Sequence, residues 1–204
     1  TGTHLGKHAI CTLTSDLILH WPETWLKEAD LHSIKHLLVG IQASAYRFDY
    51  YKNKSKTCAL VNLHHLDPSN TLEESLAPTL CGLRGQIFAK NLMHEPANKL
   101  TPGHFASMLE TLSEKGLHVQ LLDKTACEKE NMHALLSVGK ASLNTPYLVT
   151  MEWKPSSAPK KQGPVALVGK GICFDTGGIN LKPSAGLEEM KYDMGGAAAV
   201  AGTM

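Results

Sequence analysis

The chain has 204 residues, of which 43% are hydrophobic and 19% are charged, and its net charge at pH 7 is +1. Such a composition is typical of a soluble globular protein that buries a sizeable core in up to two domains. The near-neutral charge argues against general electrostatic attraction to nucleic acid or to an anionic membrane, and no apolar run approaches the roughly 20 residues that cross a bilayer.

Residues 1–70 are predicted to be the C-terminal part of an α/β domain. Apolar residues recur at spacings of three and four over residues 28–45, which predicts a helix. Residues 58–63 have the composition of a strand that leads into a turn at residues 67–70. A linker helix over residues 71–95 follows, and Pro78 is expected to disturb its regularity.

Residues 96–204 are predicted to be the first half of a second domain, in which helices and strands alternate. Thr101 is placed to cap a helix that has Pro102 at its first position and ends at Gly116. Its buried stripe is predicted to contain Phe105, Met108, Leu109 and Leu112. A strand at 117–122, a helix from 123 to about 137 and a strand at 147–153 come next. We therefore expect helices on both faces of a mixed sheet.

The most informative segment, residues 165–196, carries two lysines and two aspartates on glycine-rich turns. The apolar run 165–168 is typical of a buried parallel strand, which would deliver Lys170 at its carboxyl end. Asp175 is followed by a glycine pair that allows a tight turn, so its side chain is expected to face the same opening. Lys182 and Asp193 complete a set that we expect to converge.

This set of residues suits a site with two metal ions. Carboxylates bind hard or borderline dications, and two ions about 3.5–4 Å apart can share one bridging aspartate, for which Asp175 is the candidate. A lysine binds metal only as the neutral amine, so its ordinary pKa of about 10.4 must be lowered by burial and by neighbouring dications. A second lysine that stays protonated, Lys182, would stabilise the oxyanion formed when water attacks a peptide carbonyl.

The motifs VGKG, FDTGG and DMGG resemble the signature of the leucine (cytosol) aminopeptidase family, whose members are di-metal peptidases. The resemblance implies that Lys170, Asp175 and Asp193 bind metal. It implies that Lys182 is catalytic and contacts the substrate, and that Met190 lines the pocket for the substrate's first side chain.

Three upstream segments extend this resemblance over roughly residues 35–204. Residues 45–52, AYRFDYYK, are similar to the family's SYRFDRYK segment. Residues 91–102, NLMHEPANKLTP, are similar to its NTPANxLTP segment, and residues 135–141 to a further one. His94 stands where the family usually has asparagine, so we assign it no catalytic role.

The resemblance implies a metalloaminopeptidase that releases leucine-like N-terminal residues from peptides with two zinc or manganese ions. It also implies a cytoplasmic homohexamer and a mixed-sheet α/β/α domain of the zinc-exopeptidase kind. The family's remaining acidic ligands and its arginine lie in an NTDAEGR motif, which does not occur in these 204 residues. We therefore expect the chain to be a fragment that is inactive alone.

Other interpretations remain for the same residues. A non-catalytic scaffold or binding protein would keep the fold with an incomplete metal site. Singly, an aspartate beside a glycine pair is usually a turn residue, a lysine is usually solvated, and Met190 would usually fill a core. A phosphate-binding loop is excluded because five residues, not four, separate Gly163 from Gly169, and no Ser or Thr follows Lys170.

The cysteines and histidines show no zinc-binding spacing. The five cysteines are scattered without a CxxC pair, which is typical of reduced thiols in a cytosolic protein. The eleven histidines occur without an HExxH motif, so we interpret them as structural or surface residues.

Overall fold

A computed structural model describes residues 16–20, 28–53, 62–66, 71–155 and 163–204. The chain divides into two compact units, Thr1–Ile87 and Phe88–Met204. Both contain helices and a pair of strands, so the chain has the mixed helix and sheet content that the sequence predicts. The finer division into residues 1–70, 71–95 and 96–204 stays a prediction.

In the first unit, strand β1 (Asp16–His20) pairs in parallel with strand β2 (Asn62–Leu66). Helix α1 (Glu28–Ala45) lies between them in sequence and confirms the helix predicted over 28–45. Ile34, Leu38 and Ile41 are buried on one face of α1, as its spacing requires. Of the strand predicted at 58–63, residues 62 and 63 belong to β2, whereas residues 58–61 and the turn predicted at 67–70 lie outside the described residues.

Helix α2 (Thr71–His94) confirms the predicted long helix and contains Pro78. Only some of the regularly spaced apolar residues of α2 are buried: Leu76 and Leu83 are buried, whereas Leu80 is 38% exposed. The boundary between the two units falls within this helix, after Ile87. Its last turn therefore belongs to the second unit.

The second unit begins with helix α3 (Pro102–Glu110), which the sequence predicted closely. The Thr101 hydroxyl accepts a hydrogen bond from the backbone N–H of His104 at 3.4 Å. A 3-10 turn (Thr111–Lys115) extends the helix to Gly116, whose φ of 91° favours glycine. Of the predicted stripe, Phe105 and Leu109 are buried, and Met108 and Leu112 pack against the same core.

Strands β3 (His118–Leu122) and β4 (Leu148–Glu152) pair antiparallel and confirm the two predicted strands. The single helix predicted from 123 to about 137 is wrong, because the structure has α4 (Lys124–Lys129) and α5 (His133–Gly139). Asn131 interrupts them with a φ of 56°, a left-handed conformation that asparagine tolerates better than most residues.

The buried strand predicted at 165–168 is also wrong. In the described part of the chain, β3 and β4 pair with each other and no strand is assigned to 165–168. Val165 is 87% exposed and Val168 is 94% exposed. An apolar run indicates strand composition, but a strand also needs a partner for its backbone N–H and C=O groups and a layer that covers its side chains.

One core cluster joins the end of α2 to α3 and to helix α6 (Gly195–Thr203). Its buried members are Leu92, Leu100, Phe105, Leu109, Met194, Ala198 and Ala201. Met194 follows Asp193 directly, so the core holds the chain next to a predicted metal ligand. None of the helices in the described ranges is both long enough and apolar enough to span a membrane.

Candidate metal centre

Two glycine-rich segments approach each other closely at the centre of the site. The backbone N–H of Ala197, in the first turn of α6, donates a hydrogen bond to the Lys170 carbonyl at 2.9 Å. A Cβ atom on Gly169 would lie 2.5 Å from the Ala197 Cα atom, and one on Gly196 would lie 3.0 Å from the Lys170 backbone nitrogen. Glycine at both positions therefore permits a contact that brings Lys170 beside the start of α6.

This approach places Lys170 next to Asp193. The Lys170 Nζ atom is 2.9 Å from Asp193 Oδ1, with side-chain exposures of 61% and 20% respectively. The second carboxylate oxygen, Asp193 Oδ2, is buried and has no hydrogen-bond partner among the residues that the structure describes. Because an unsatisfied buried carboxylate oxygen is costly, it is the kind of atom that a bound cation satisfies.

Asp175 lies on a tight loop that its own carboxylate helps to close. Asp175 Oδ1 accepts a hydrogen bond from the Gly177 backbone N–H at 2.9 Å. Gly177 has a φ of 91°, and a Cβ atom there would lie 2.3 Å from the Asn180 carbonyl oxygen. The Lys182 backbone N–H donates to the Thr176 carbonyl at 2.9 Å, so the loop returns beside Asp175.

Lys182 and Asp175 form the second ion pair, with Nζ 2.8 Å from Oδ2. The pKa of Asp175 is lowered, first by the hydrogen bond from Lys182 and then by the one from the Gly177 backbone. Desolvation opposes this decrease, while the charges of Lys182 and Lys170 add to it. Because the charge of Lys170 acts on Asp175, the two ion pairs belong to one electrostatic cluster.

Met190, which lies within a 3-10 turn (Leu187–Tyr192), is a second neighbour of Lys182. Its Sδ atom is 3.0 Å from Lys182 Nζ. The two residues line a cavity of about 170 Å³ whose other walls are apolar or backbone. The remaining lining residues are Pro183, Ala185, Gly186 and Leu187.

The donor set fits a divalent cation through Asp175, Asp193 and a lysine amine. In the described ranges, no group of three or more His, Cys, Asp or Glu residues is arranged to hold a metal. The fit therefore depends on the buried oxygen of Asp193, which has no partner among the described residues, and on Lys170, which pairs with Asp193 and whose charge also acts on Asp175. The desolvation expected for a metal-binding lysine is not supplied by the described residues, because Lys170 is 61% exposed.

Cys173 is the thiol nearest in sequence to this cluster. Its side chain packs against the core, and burial raises its pKa to about 11. The thiol is therefore protonated at neutral pH and is a poor nucleophile or metal ligand. Cys81, Cys127 and Cys173 are all free, as predicted, and the other two cysteines lie outside the described residues.

The sequence analysis did not predict an aromatic contact that involves Tyr192, the residue that precedes Asp193 in the chain. The rings of His94 and Tyr192 meet edge to face, with centroids 6.0 Å apart and planes at 82°. The pKa of His94 is lowered by burial and then by the charges of Lys191 and Lys90. The sequence did signal that His94 is unusual, because it stands where the family usually has asparagine. Nothing in the spacing of residues 94 and 192 indicated that their side chains meet.

Residues 87–204 match the profile of the cytosol aminopeptidase family, catalytic domain. The chain belongs to this family. A probable cytosol aminopeptidase of Caulobacter vibrioides is 40% identical over 181 residues, which cover 86% of this chain and 36% of that protein. One from Cereibacter sphaeroides is 44% identical over 166 residues, which cover 81% of this chain and 33% of that protein.

Solved structures of similar proteins support the predicted α/β fold class. A mutant of tomato leucine aminopeptidase superposes with a TM-score of 0.83 at 26% identity, over 98% of this chain and 39% of that one. The bottromycin maturation enzyme BotP, solved in complex with Mn, superposes with a TM-score of 0.77 at 26% identity, over 99% of this chain and 43% of that one. The chain thus spans about a third to two fifths of the length of these relatives.

Proposed function

We propose that this chain contributes metal-binding and catalytic residues to a di-metal aminopeptidase that releases N-terminal amino acids, preferably leucine-like ones, from peptides. The observation that carries the proposal is the buried oxygen of Asp193, which lacks a partner among the described residues and lies beside Lys170 in one cluster with Asp175 and Lys182. Family membership supports the peptidase activity.

In this proposal Lys170, Asp175 and Asp193 would hold two divalent ions, zinc or manganese, and Asp175 is the candidate for the shared ligand. The ions, when bound, supply an activated water and polarise the peptide carbonyl. The structural similarity to BotP, which was solved in complex with Mn, supports a divalent metal here. Binding an ion would require Lys170 to lose its proton and its ammonium pairing with Asp193, so metal uptake should release protons.

Lys182 is proposed to act directly on the substrate as a protonated donor. Its Nζ atom pairs with Asp175 at 2.8 Å and lies 3.0 Å from the Met190 sulfur, and these two contacts restrict its orientation. A fixed ammonium group stabilises the negative charge that develops on the carbonyl oxygen. Met190 and the cavity of about 170 Å³ would receive the substrate's first side chain, and the apolar walls favour a leucine-like group.

The substitution Asp175→Asn in the full native protein tests the bridge. It keeps the size of the side chain but removes its charge, so turnover of leucine p-nitroanilide should be abolished and at least one metal should bind more weakly. Glu114→Gln, which removes an exposed carboxylate from the turn after α3, is the matched control and should behave as wild type. Retention of both activity and metal affinity by Asp175→Asn would remove Asp175 from the bridge.

We further propose that the full protein is a cytoplasmic homohexamer that acts on peptides and binds neither nucleic acid nor membrane. This proposal follows from family membership and from the net charge of +1. Light scattering after size-exclusion chromatography should give six subunits. A monomeric, fully active protein would contradict the proposed assembly without affecting the proposed metal site.

A non-catalytic scaffold or binding protein is the second candidate. It is favoured by the lack, in the described ranges, of any cluster of three or more acidic, histidine or cysteine ligands. The metal content of the purified native protein distinguishes the two candidates. Two ions per subunit would support the enzyme, whereas a folded protein that binds none would support the scaffold.

A further inference from the structure

The last residue of α2, His94, contacts the residue that immediately precedes Asp193. Its ring meets Tyr192 edge to face, with centroids 6.0 Å apart. Burial and then the charges of Lys191 and Lys90 lower the pKa of His94, which favours the neutral form of the imidazole in this contact. Tyr192 is 37% exposed, so this contact lies at the edge of the core.

Two neighbouring residues in the last turn of α2 also lie beside the Asp193 turn. Leu92 and Met194 are both fully buried in the same core cluster. A Cβ atom on Gly195 would lie 3.2 Å from the Met93 Cε atom, so Gly195 and Met93 are in close contact. The chain on both sides of Asp193 is therefore packed against one helical turn.

The side chain of Asp193 is held by little else in the described residues. Its backbone N–H donates to the Met190 carbonyl at 3.3 Å, and one of its two carboxylate oxygens pairs with Lys170. Since the other oxygen has no hydrogen-bond partner there, the position of the backbone decides where that oxygen points. A metal ligand of this kind depends on the residues that support it.

We infer that His94 is a positioning residue for the metal site: through its ring contact with Tyr192 it fixes the turn that presents Asp193 to a divalent cation. The inference rests on the proposed function, because it assumes that Asp193 binds metal. His94 itself contacts neither metal nor substrate in this assignment. It acts through the aromatic pair at the end of α2.

The test uses the full native protein, stripped of metal, and measures Mn²⁺ binding by isothermal titration calorimetry. His94→Ala should raise the dissociation constant of one Mn²⁺ by about three- to tenfold, since it removes an aromatic contact of ordinary strength. His94→Phe keeps a ring and should restore binding to within about twofold of wild type. His104→Ala, at an exposed histidine on α3, is the matched control and should have no effect.

Tyr192→Leu removes the other ring of this contact and should weaken Mn²⁺ binding to the same extent as His94→Ala. This second variant keeps the inference testable if His94→Ala does not fold. Wild-type affinity in either of these variants, or equal weakening by His94→Phe and His94→Ala, would overturn the positioning role while the metal site stands. A wild-type protein that binds no Mn²⁺ would instead overturn the proposed function, and this inference with it.

Discussion

At the residue scale, the site consists of two lysine–carboxylate pairs in different surroundings. Asp175 and Lys182 are each about one-third exposed, whereas Asp193 is only 20% exposed and has one buried oxygen without a partner in the described residues. Exposed ion pairs add little to stability because water and salt screen them. The Asp175–Lys182 pair is therefore better explained by the orientation of Lys182 than by any contribution to folding.

The pKa of Asp175 should depend on Lys182. Lys182→Met removes both the hydrogen bond and the charge that lower this pKa, so the pKa should rise towards its ordinary value of 3.8. Carboxyl carbon shifts, followed by NMR over a pH titration of the metal-free protein, measure it directly. Lys191→Met, at a lysine that does not contribute to the pKa of Asp175, is the control, and an unchanged pKa in Lys182→Met would contradict the assigned cause.

The same lowered pKa determines the direction of the pH dependence. A carboxyl whose pKa is lower in the folded than in the unfolded state stabilises the fold above its unfolded pKa. This stabilisation is lost as the pH falls through the folded value, which lies below 3.8 here. The Asp175–Lys182 pair should therefore be intact at neutral pH and should break only in acid.

At the element scale, predictions that rest on neighbouring residues were confirmed more often than predictions that depend on distant segments of the chain. The helix that starts at Pro102 was predicted because its cap, its proline and its stop at Gly116 are all read from neighbouring residues. The helix predicted from 123 to about 137 failed at Asn131, where one left-handed residue ends α4. The strand predicted at 165–168 failed because pairing depends on distant segments that composition does not reveal.

The contact between Gly169 and α6 should be sensitive to a single methyl group. In Gly169→Ala the added Cβ would lie 2.5 Å from the Ala197 Cα atom, so one of the two segments must shift. We expect a loss of about 1–3 kcal/mol in the free energy of unfolding, as for other overpacked sites, together with weaker metal binding. Urea unfolding and calorimetry of the native protein measure these two effects.

The matched control for this change is Gly163→Ala. Gly163 belongs to the same unit, and an added Cβ there would have no atom within 4 Å. Its unfolding free energy should stay within about 0.5 kcal/mol of wild type, as is usual at open surface positions. Equal stability of the two variants would show that the backbone approach at Gly169 does not constrain the site.

At the scale of the whole molecule, these 204 residues leave several large apolar side chains exposed. Those with more than half of their area exposed in the second unit are Val138, Leu143, Trp153, Val165, Val168, Ile179 and Leu181. Val165 and Val168 lie shortly before Lys170 in the chain, and Ile179 and Leu181 lie on the loop that follows Asp175. Exposed apolar surface of this kind promotes association.

Residues 1–204 expressed alone should therefore be poorly soluble and inactive. The physical reasons are the exposed apolar side chains and the lack of the family's NTDAEGR motif in this sequence. The soluble fraction after expression and the turnover of leucine p-nitroanilide with added manganese measure both properties. Val165→Thr with Val168→Thr should raise solubility without restoring activity, and normal turnover by residues 1–204 would contradict the prediction.

The sequence by itself determined the family, the residue types at positions 170, 175, 182, 190 and 193, and the elements whose signals are local. Only the tertiary structure decided which lysine pairs with which aspartate. It also decided that one oxygen of Asp193 is buried and that His94 contacts Tyr192. The reason is that caps and periodicity depend on residues a few positions apart, whereas these contacts depend on the close approach of segments that are distant in the chain.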